Sequence, residues 1–212
     1  MMTHLSALFD VVVPPTCMAC RLPDDAAMVG RLCTNCMASL SRTVRPVPAP
    51  ASVVRCWSMG EYGGVLGQLI RAAKYQGSLG AADQLGVWLG ERVCGVIDVD
   101  AIVPIPIPWF RKMRRGFDQS DRLAQGVARA SGVEVHPLLF RIDASRQVGK
   151  GASDRRQLSP NVFGIRNRPM PSRVLLVDDV MTTGATIHAA SRQLQRHGVQ
   201  AVWAAVVADS SA

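Results

Sequence analysis

The stretch Val174-Leu175-Leu176-Val177-Asp178-Asp179-Val180-Met181-Thr182-Thr183-Gly184-Ala185-Thr186 limits the possible folds more than any other part of this sequence. The wholly apolar run that opens it is expected of a parallel strand buried on both faces. It ends in two acidic residues, then a Thr/Gly turn, and Thr183–His197 then carries helical spacing. In an open α/β sheet, ligands bind at this carboxyl edge. The turn offers free backbone N–H groups and threonine hydroxyls at a helix N-terminus, which suits a phosphate. Gly184 and Ala185 let the backbone approach closely. Two carboxylates would repel a phosphate, so Asp178 and Asp179 are expected at the strand's exposed edge, holding sugar hydroxyls or a metal ion. No G-x-x-x-x-G-K-[ST] segment exists, and no G-x-G-x-x-G follows a predicted strand, so nucleotide-triphosphatase and dinucleotide folds lack their necessary partner.

The rest of the chain alternates strand and helix signals. Strands are expected at Val53–Met59, Asp100–Pro106, Val133–Leu139 and Ala201–Val207, and helices at Gly63–Tyr75, Ala81–Val96 and Asp118–Ser131. That alternation predicts an α/β fold with a parallel sheet flanked by helices. At 212 residues, 48% of them hydrophobic, the chain can bury one such core plus a small appendage. No apolar stretch reaches the roughly 18 residues of a membrane span.

The appendage is at the N-terminus. Cys17-x2-Cys20 and Cys33-x2-Cys36 are two knuckles separated by twelve residues, the spacing of a tetrahedral Zn²⁺ site. An iron–sulfur centre or redox pair shares the motif. Residues 1–45 are too few to bury a sufficient core, so a structural metal would supply folding energy. Leu5–Val13 lacks the flanks of a signal peptide and is expected to be a short helix or strand. A reducing, cytoplasmic setting follows, in which disulfides would not persist. Residues 46–52, punctuated by Pro46, Pro48 and Pro50, read as a linker to a main domain at 53–212. Cys56 and Cys94 read as buried and unreactive. His4, His136, His188 and His197 show no ligand spacing.

The net charge of +8 is concentrated in two places. Arg111, Lys112, Arg114, Arg115 and Arg122 face only Asp118 and Asp121 over one segment. The long loop Arg141–Pro171 and the adjoining Arg173 carry eight basic residues against Asp143 and Asp154. Such patches suit a phosphorylated ligand or a nucleic-acid backbone.

These residues carry a family resemblance. The run Val174–Thr186 resembles the 5-phosphoribosyl-1-pyrophosphate (PRPP) signature of type I phosphoribosyltransferases. The chain as a whole is similar to the ComF family of competence-associated, phosphoribosyltransferase-like proteins. The similarity takes in the paired C-x-x-C, Leu69-Ile70-Arg71-Ala72-Ala73-Lys74-Tyr75 and Val103-Pro104-Ile105-Pro106. It continues through Arg115-Gly116-Phe117-Asp118-Gln119, then Gln147, Arg155-Arg156 and Asn161.

The resemblance implies a type I phosphoribosyltransferase-like parallel sheet flanked by helices, with a small N-terminal four-cysteine zinc module. Asp178 and Asp179 would grip the ribose hydroxyls and act in catalysis. Thr182, Thr183, Gly184, Ala185 and Thr186 would hold the 5′-phosphate. Lys74 and Arg115 would contact the diphosphate, with Mg²⁺ bridging it to the ribose, and the basic Arg141–Arg156 loop would close as a lid. Asp118, where the family more often has Asn, adds negative charge near the diphosphate. Transfer of phosphoribosyl to a nitrogen acceptor is one outcome. The other is a non-catalytic PRPP-sensing or single-stranded-DNA-binding module serving the DNA-uptake machinery, with Trp57, Tyr62, Tyr75, Trp109 and Phe117 as stacking candidates.

Overall fold

Residues 174–177 are fully buried, as a strand with neighbours on both sides and helices on both faces must be. The computed structural model describes residues 16–23, 32–75, 79–142 and 162–210. In chain order its elements are α1 (Thr34–Ala38), β1 (Arg45–Val47), β2 (Cys56–Ser58), α2 (Gly64–Tyr75), α3 (Leu79–Val93), β3 (Ala101–Pro104) and α4 (Trp109–Arg115). There follow α5 (Gln119–Ser131), β4 (Leu139–Arg141), β5 (Phe163–Ile165), β6 (Arg173–Met181), α6 (Ala185–Arg196) and β7 (Ala201–Asp209). The N-terminal run Leu5–Val13 lies outside the described residues, as do Asn161 and, with Gln147, Arg155 and Arg156, all of the expected Arg141–Arg156 lid beyond Ile142.

A five-stranded sheet runs β1-β2-β7-β6-β3. Strands β2, β7, β6 and β3 are parallel, and β1 joins antiparallel at the edge. This is the α/β architecture expected. Alternation along β6 sorts the two faces. Leu175 and Val177 share a core with Leu69, Ile70, Leu85, Leu89, Leu123 and Val127 of α2, α3 and α5. Val174 and Leu176 pack with Ile187, Ala190 and Leu194 of α6 and with Leu138, Leu139 and Phe163 around the β4–β5 pair.

The ends of the strands make the site. β3 stops at Pro104, opposite Val177, while β6 runs on beside β7 to the pair Met181–Asp209. Asp178 and Asp179 therefore lie past the end of β3, with one side of the strand released from the ladder. Prolines in Pro104-Ile105-Pro106 explain the stop, since they cannot continue donating to a ladder.

Three expectations are corrected. Val133–Leu139 is not a strand of its own: it contributes an isolated bridge from Val135 to Ile102, and β4 begins only at Leu139. The proline-rich stretch is not a free spacer, because Arg45–Val47 pairs with β2 and Arg45 donates to the buried Asp209 carboxylate at 2.8 Å. Cys94 is exposed at the end of α3, whereas Cys56 is buried as expected, the pKa of its thiol pushed up to about 12 by burial. The basic segment after Trp109 is helical, in α4, with no residue buried. Among the described residues no helix is long and apolar enough to cross a membrane.

Candidate functional site

The phosphate turn is built by one left-handed residue. Gly184 has φ 72° and forms the N-cap of α6, so the chain reverses sharply and leaves the helix's first N–H groups pointing outward. Thr182, Thr183 and Ala185 are exposed around that turn, and Thr186 is half-buried. Thr183 Oγ1 accepts the Ala185 N–H at 3.4 Å. A cavity of about 370 Å³ opens here, lined by Thr183, Gly184, Ala185 and His188 on one side and by Pro48–Ala51 on the other. His188 shares a hydrogen bond between its Nδ1 and Ser52 Oγ at 2.9 Å, and Ser52 also contacts Ser191. The wall of residues 48–51 and the fixed His188 were not legible in sequence, because both depend on β1 docking at the sheet edge.

The acidic pair is asymmetric. Asp179 is not at an exposed edge, as the sequence suggested, but buried. Its Oδ1 pairs with Lys74 Nζ at 2.9 Å, and its Oδ2 accepts from Gln119 Nε2 at 2.7 Å. Asp178 is half-buried, and among the described residues its carboxylate accepts only the Asp179 N–H, at 2.8 Å on Oδ1. Burial, then the charge of Asp179, pushes the Asp178 carboxyl up to about 7, against the pull of Lys74 and Arg141. Lys74, expected from the sequence to contact a diphosphate, is placed against Asp179.

Arg115 is also brought to this place. It ends α4, donates from an Nη to Gln119 Oε1 at 2.9 Å, and lies 5.6 Å from the Tyr75 ring centre. Among the described residues its buried Nε has no partner. Gln119 is the residue that sequence reading passed over. It stood within the Arg-Gly-Phe-x-Gln block, and a glutamine that is 2% exposed at the start of a helix is a signal only once its neighbours are known. Asp118 does not confront the diphosphate region as bare charge: it caps α5, accepting from the Ser120 and Asp121 N–H groups, with its carboxyl raised by burial.

The four N-terminal cysteines form a second centre. Their Sγ atoms all lie within 4.8 Å of one another, with Cys20 and Cys33 at 3.9 Å. A zinc tetrahedron with bonds of about 2.3 Å has sulfur–sulfur edges of about 3.8 Å, so the donor set fits. Arg21 takes φ 63° to close the first knuckle, and the Cys33 and Cys36 N–H groups donate to Cys17 and Cys33 sulfurs. Burial opposes ionisation of Cys17, but backbone N–H groups outweigh it and lower its thiol to about 6. Burial and the neighbouring thiols push Cys36 up to about 12.

Among the proposed stacking residues, Trp57 is buried in β2 and Phe117 packs with Ala72, Ala73, Ala81 and Ala82. Trp109, Tyr75 and Tyr62 are exposed, and so are Phe110 and Met113, which sequence reading did not single out.

Comparison with known proteins bears on the fold. A family profile described as phosphoribosyl transferase domain matches residues 114–212. Competence protein F of Haemophilus influenzae is 37% identical over 108 residues, which are 49% of this chain and 47% of that one. Competence protein ComFC of Bacillus subtilis is 38% identical over 98 residues, 46% of this chain and 39% of the relative. The aligned part thus spans less than half the length of these two relatives. DNA utilization protein YhgH of Escherichia coli K12 is 27% identical over 219 residues, covering 91% and 96% of the two chains. With a match to the phosphoribosyl transferase domain over residues 114–212 at one end and a four-cysteine cluster at the other, the findings support the likeness to the ComF family of phosphoribosyltransferase-like proteins expected from the sequence.

Proposed function

We propose that the chain binds PRPP at the carboxyl edge of β6 and transfers its phosphoribosyl group to a nitrogen acceptor. One observation carries this reading: an acidic pair and a hydroxyl-lined turn at a helix N-terminus follow each other directly on the same released strand end. Thr182–Thr186 would take the 5′-phosphate through N–H and hydroxyl donors, and the acidic pair would meet the ribose. Loss of diphosphate builds positive charge on the anomeric carbon and negative charge on the leaving group. Asp178 would stabilise the first and Arg115 the second. Holding sugar and acceptor together would supply much of the remaining acceleration. Mg²⁺ fits one open carboxylate plus water and substrate oxygens, and would neutralise the diphosphate when bound. Among the described residues the one cluster of metal-ligating side chains is the cysteine set, to which we assign a structural Zn²⁺.

Calorimetry with PRPP, with and without Mg²⁺, is expected to show saturable heat that Mg²⁺ strengthens. No heat under either condition overturns the reading. Incubation with PRPP and a panel of nitrogenous bases then separates enzyme from sensor, because only turnover releases diphosphate.

A second reading is favoured by α4, where Trp109, Phe110 and Met113 are 55%, 56% and 73% exposed beside Arg111, Lys112 and Arg114. Aromatic and basic side chains on one short helix suit single-stranded DNA, in keeping with the names of the relatives. Titration with an oligonucleotide at two salt concentrations tests it, since phosphate contacts make affinity fall steeply with salt.

A further inference from the structure

No residue of α4 is buried, so the helix is held in place by what flanks it. On its N-terminal side, Ile105 is buried and donates its N–H to the Val177 carbonyl at 3.1 Å. On its C-terminal side, Gly116 turns the chain at φ 78°, and Phe117 then packs on a bed of four buried alanines. Ala72 and Ala73 of α2 and Ala81 and Ala82 of α3 make that bed. Tyr75, two residues past Ala73, supplies the other attachment: its ring centre lies 5.9 Å from the Arg114 guanidinium and 5.6 Å from that of Arg115.

The same alanine bed receives Met18 of the cysteine module. Met18 stands inside the first knuckle, between Cys17 and Cys20, where the Arg21 N–H closes onto the Cys17 carbonyl at 2.9 Å. Its place is thus dictated by the shape of the thiol cluster. Alanines reach no further than a methyl group, so side chains seated on them are held by fit. Withdrawing one neighbour leaves a gap that the others feel. The metal-ligating loop and the anchor of the basic helix therefore depend on one patch of packing.

We propose that metal occupancy of the four cysteines sets whether α4 is seated or released. With the cluster closed around a cation, Met18 completes the packing of the α2–α3 corner, and Phe117 and Tyr75 fix the end of α4. With the cluster open, Met18 leaves the alanines, and α4 keeps only its attachment at Ile105. The cysteine module then governs how Trp109, Phe110, Met113 and the neighbouring cations are presented, beyond adding stability. This inference requires neither PRPP nor DNA to bind. It is also reciprocal: if metal binding favours the seated helix, seating must favour metal binding by the same factor.

Limited tryptic digestion of the full chain, followed by mass spectrometry, tests it. Initial rates of cutting after Arg111, Lys112, Arg114 and Arg115 are compared with those after Arg192 and Arg196 of α6, which packs on the other face of the sheet. Chelation below the melting temperature is expected to speed the α4 cuts relative to the α6 cuts by about 5-fold or more, the low end of usual couplings. Met18→Ala keeps all four thiols and is expected to speed the same cuts while still holding zinc. In the opposite direction, Phe117→Ala, which alters no thiol, should lose zinc to a competing chelator about 5-fold more readily than the wild type. Equal acceleration of the α4 and α6 cuts would show general loosening and overturn the inference. So would α4 cuts that ignore the metal, or a Phe117→Ala chain that holds zinc as tightly as the wild type. If the chelated chain unfolds outright, zinc-loaded Met18→Ala decides, and α4 cuts at the wild-type rate count against.

Discussion

Asp178 carries a cost that measurement can expose. Its carboxyl is held near 7 by burial and by Asp179, while an unfolded Asp titrates at about 3.9. Between those values the native state binds more protons than the unfolded chain, so stability should fall as pH rises from about 4 to about 7 and then level off. Asp178→Asn keeps the acceptor for the Asp179 N–H and removes the titration. The variant should be more stable than wild type at pH 8, by up to about 4 kcal/mol, with the advantage shrinking toward pH 4. Urea unfolding at both pH values checks this, and a variant weaker at pH 8 contradicts it. Gly184 is the other residue with no substitute. Its φ of 72° disfavours any side chain, and an added Cβ would meet Pro50 Cγ at 3.1 Å. Gly184→Ala is expected to cost about 1–2 kcal/mol in the same unfolding experiment, and to weaken ligand binding by displacing the turn.

The helices α3 and α5 meet backbone to backbone. A Cβ on Gly126 would lie 2.7 Å from Gly86 Cα, and one on Gly90 would lie 2.8 Å from the Ala130 Cβ. Gly126→Ala should therefore destabilise by about 1–3 kcal/mol through overpacking, although alanine is the better helix former. A thermal melt showing stabilisation would mean that the helices part without penalty. Elements of this kind were legible beforehand: α2, α5, β6 and α6 announce themselves through apolar spacing, and the structure shifts only their ends. Gly184 explains one such shift, because a left-handed cap starts α6 at Ala185 and not at Thr183. The elements that escaped notice follow other rules. β1 is a three-residue edge strand containing Pro46, tolerable only because an edge leaves one side unpaired. α4 buries nothing, so it has no apolar period to read. β5 pairs with β4, which lies far back in the chain, and no local signal encodes that register. The ties of Asp179 to Lys74 and Gln119 were hidden for the same reason: both partners arrive from remote parts of the chain.

Across the whole molecule, the cysteine module and the sheet share one interior. Cys17, Ala19, Leu32, Cys36 and Leu40 belong to the same buried cluster as Met59, Leu66, Leu69 and Ile70. Arg92 of α3 also donates to the Ser41 carbonyl at 2.8 Å. Removing the proposed zinc should thus loosen more than the module. With a chelator, or in Cys33→Ser, the chain is expected to melt in one transition lowered by at least about 10 °C, since each kcal/mol is worth about 2–4 °C at this size. A separate low-temperature transition, with the main melt unmoved, would show the two parts to be independent. Fresh protein should contain one zinc per chain by elemental analysis. The segment leading from the cysteines to β2 has a further meaning, since residues 48–51 are at once the tether of the module and a side of the hollow beside Gly184. Slack that an ordinary spacer would absorb unnoticed would here widen that hollow, so lengthening the tether would change its shape.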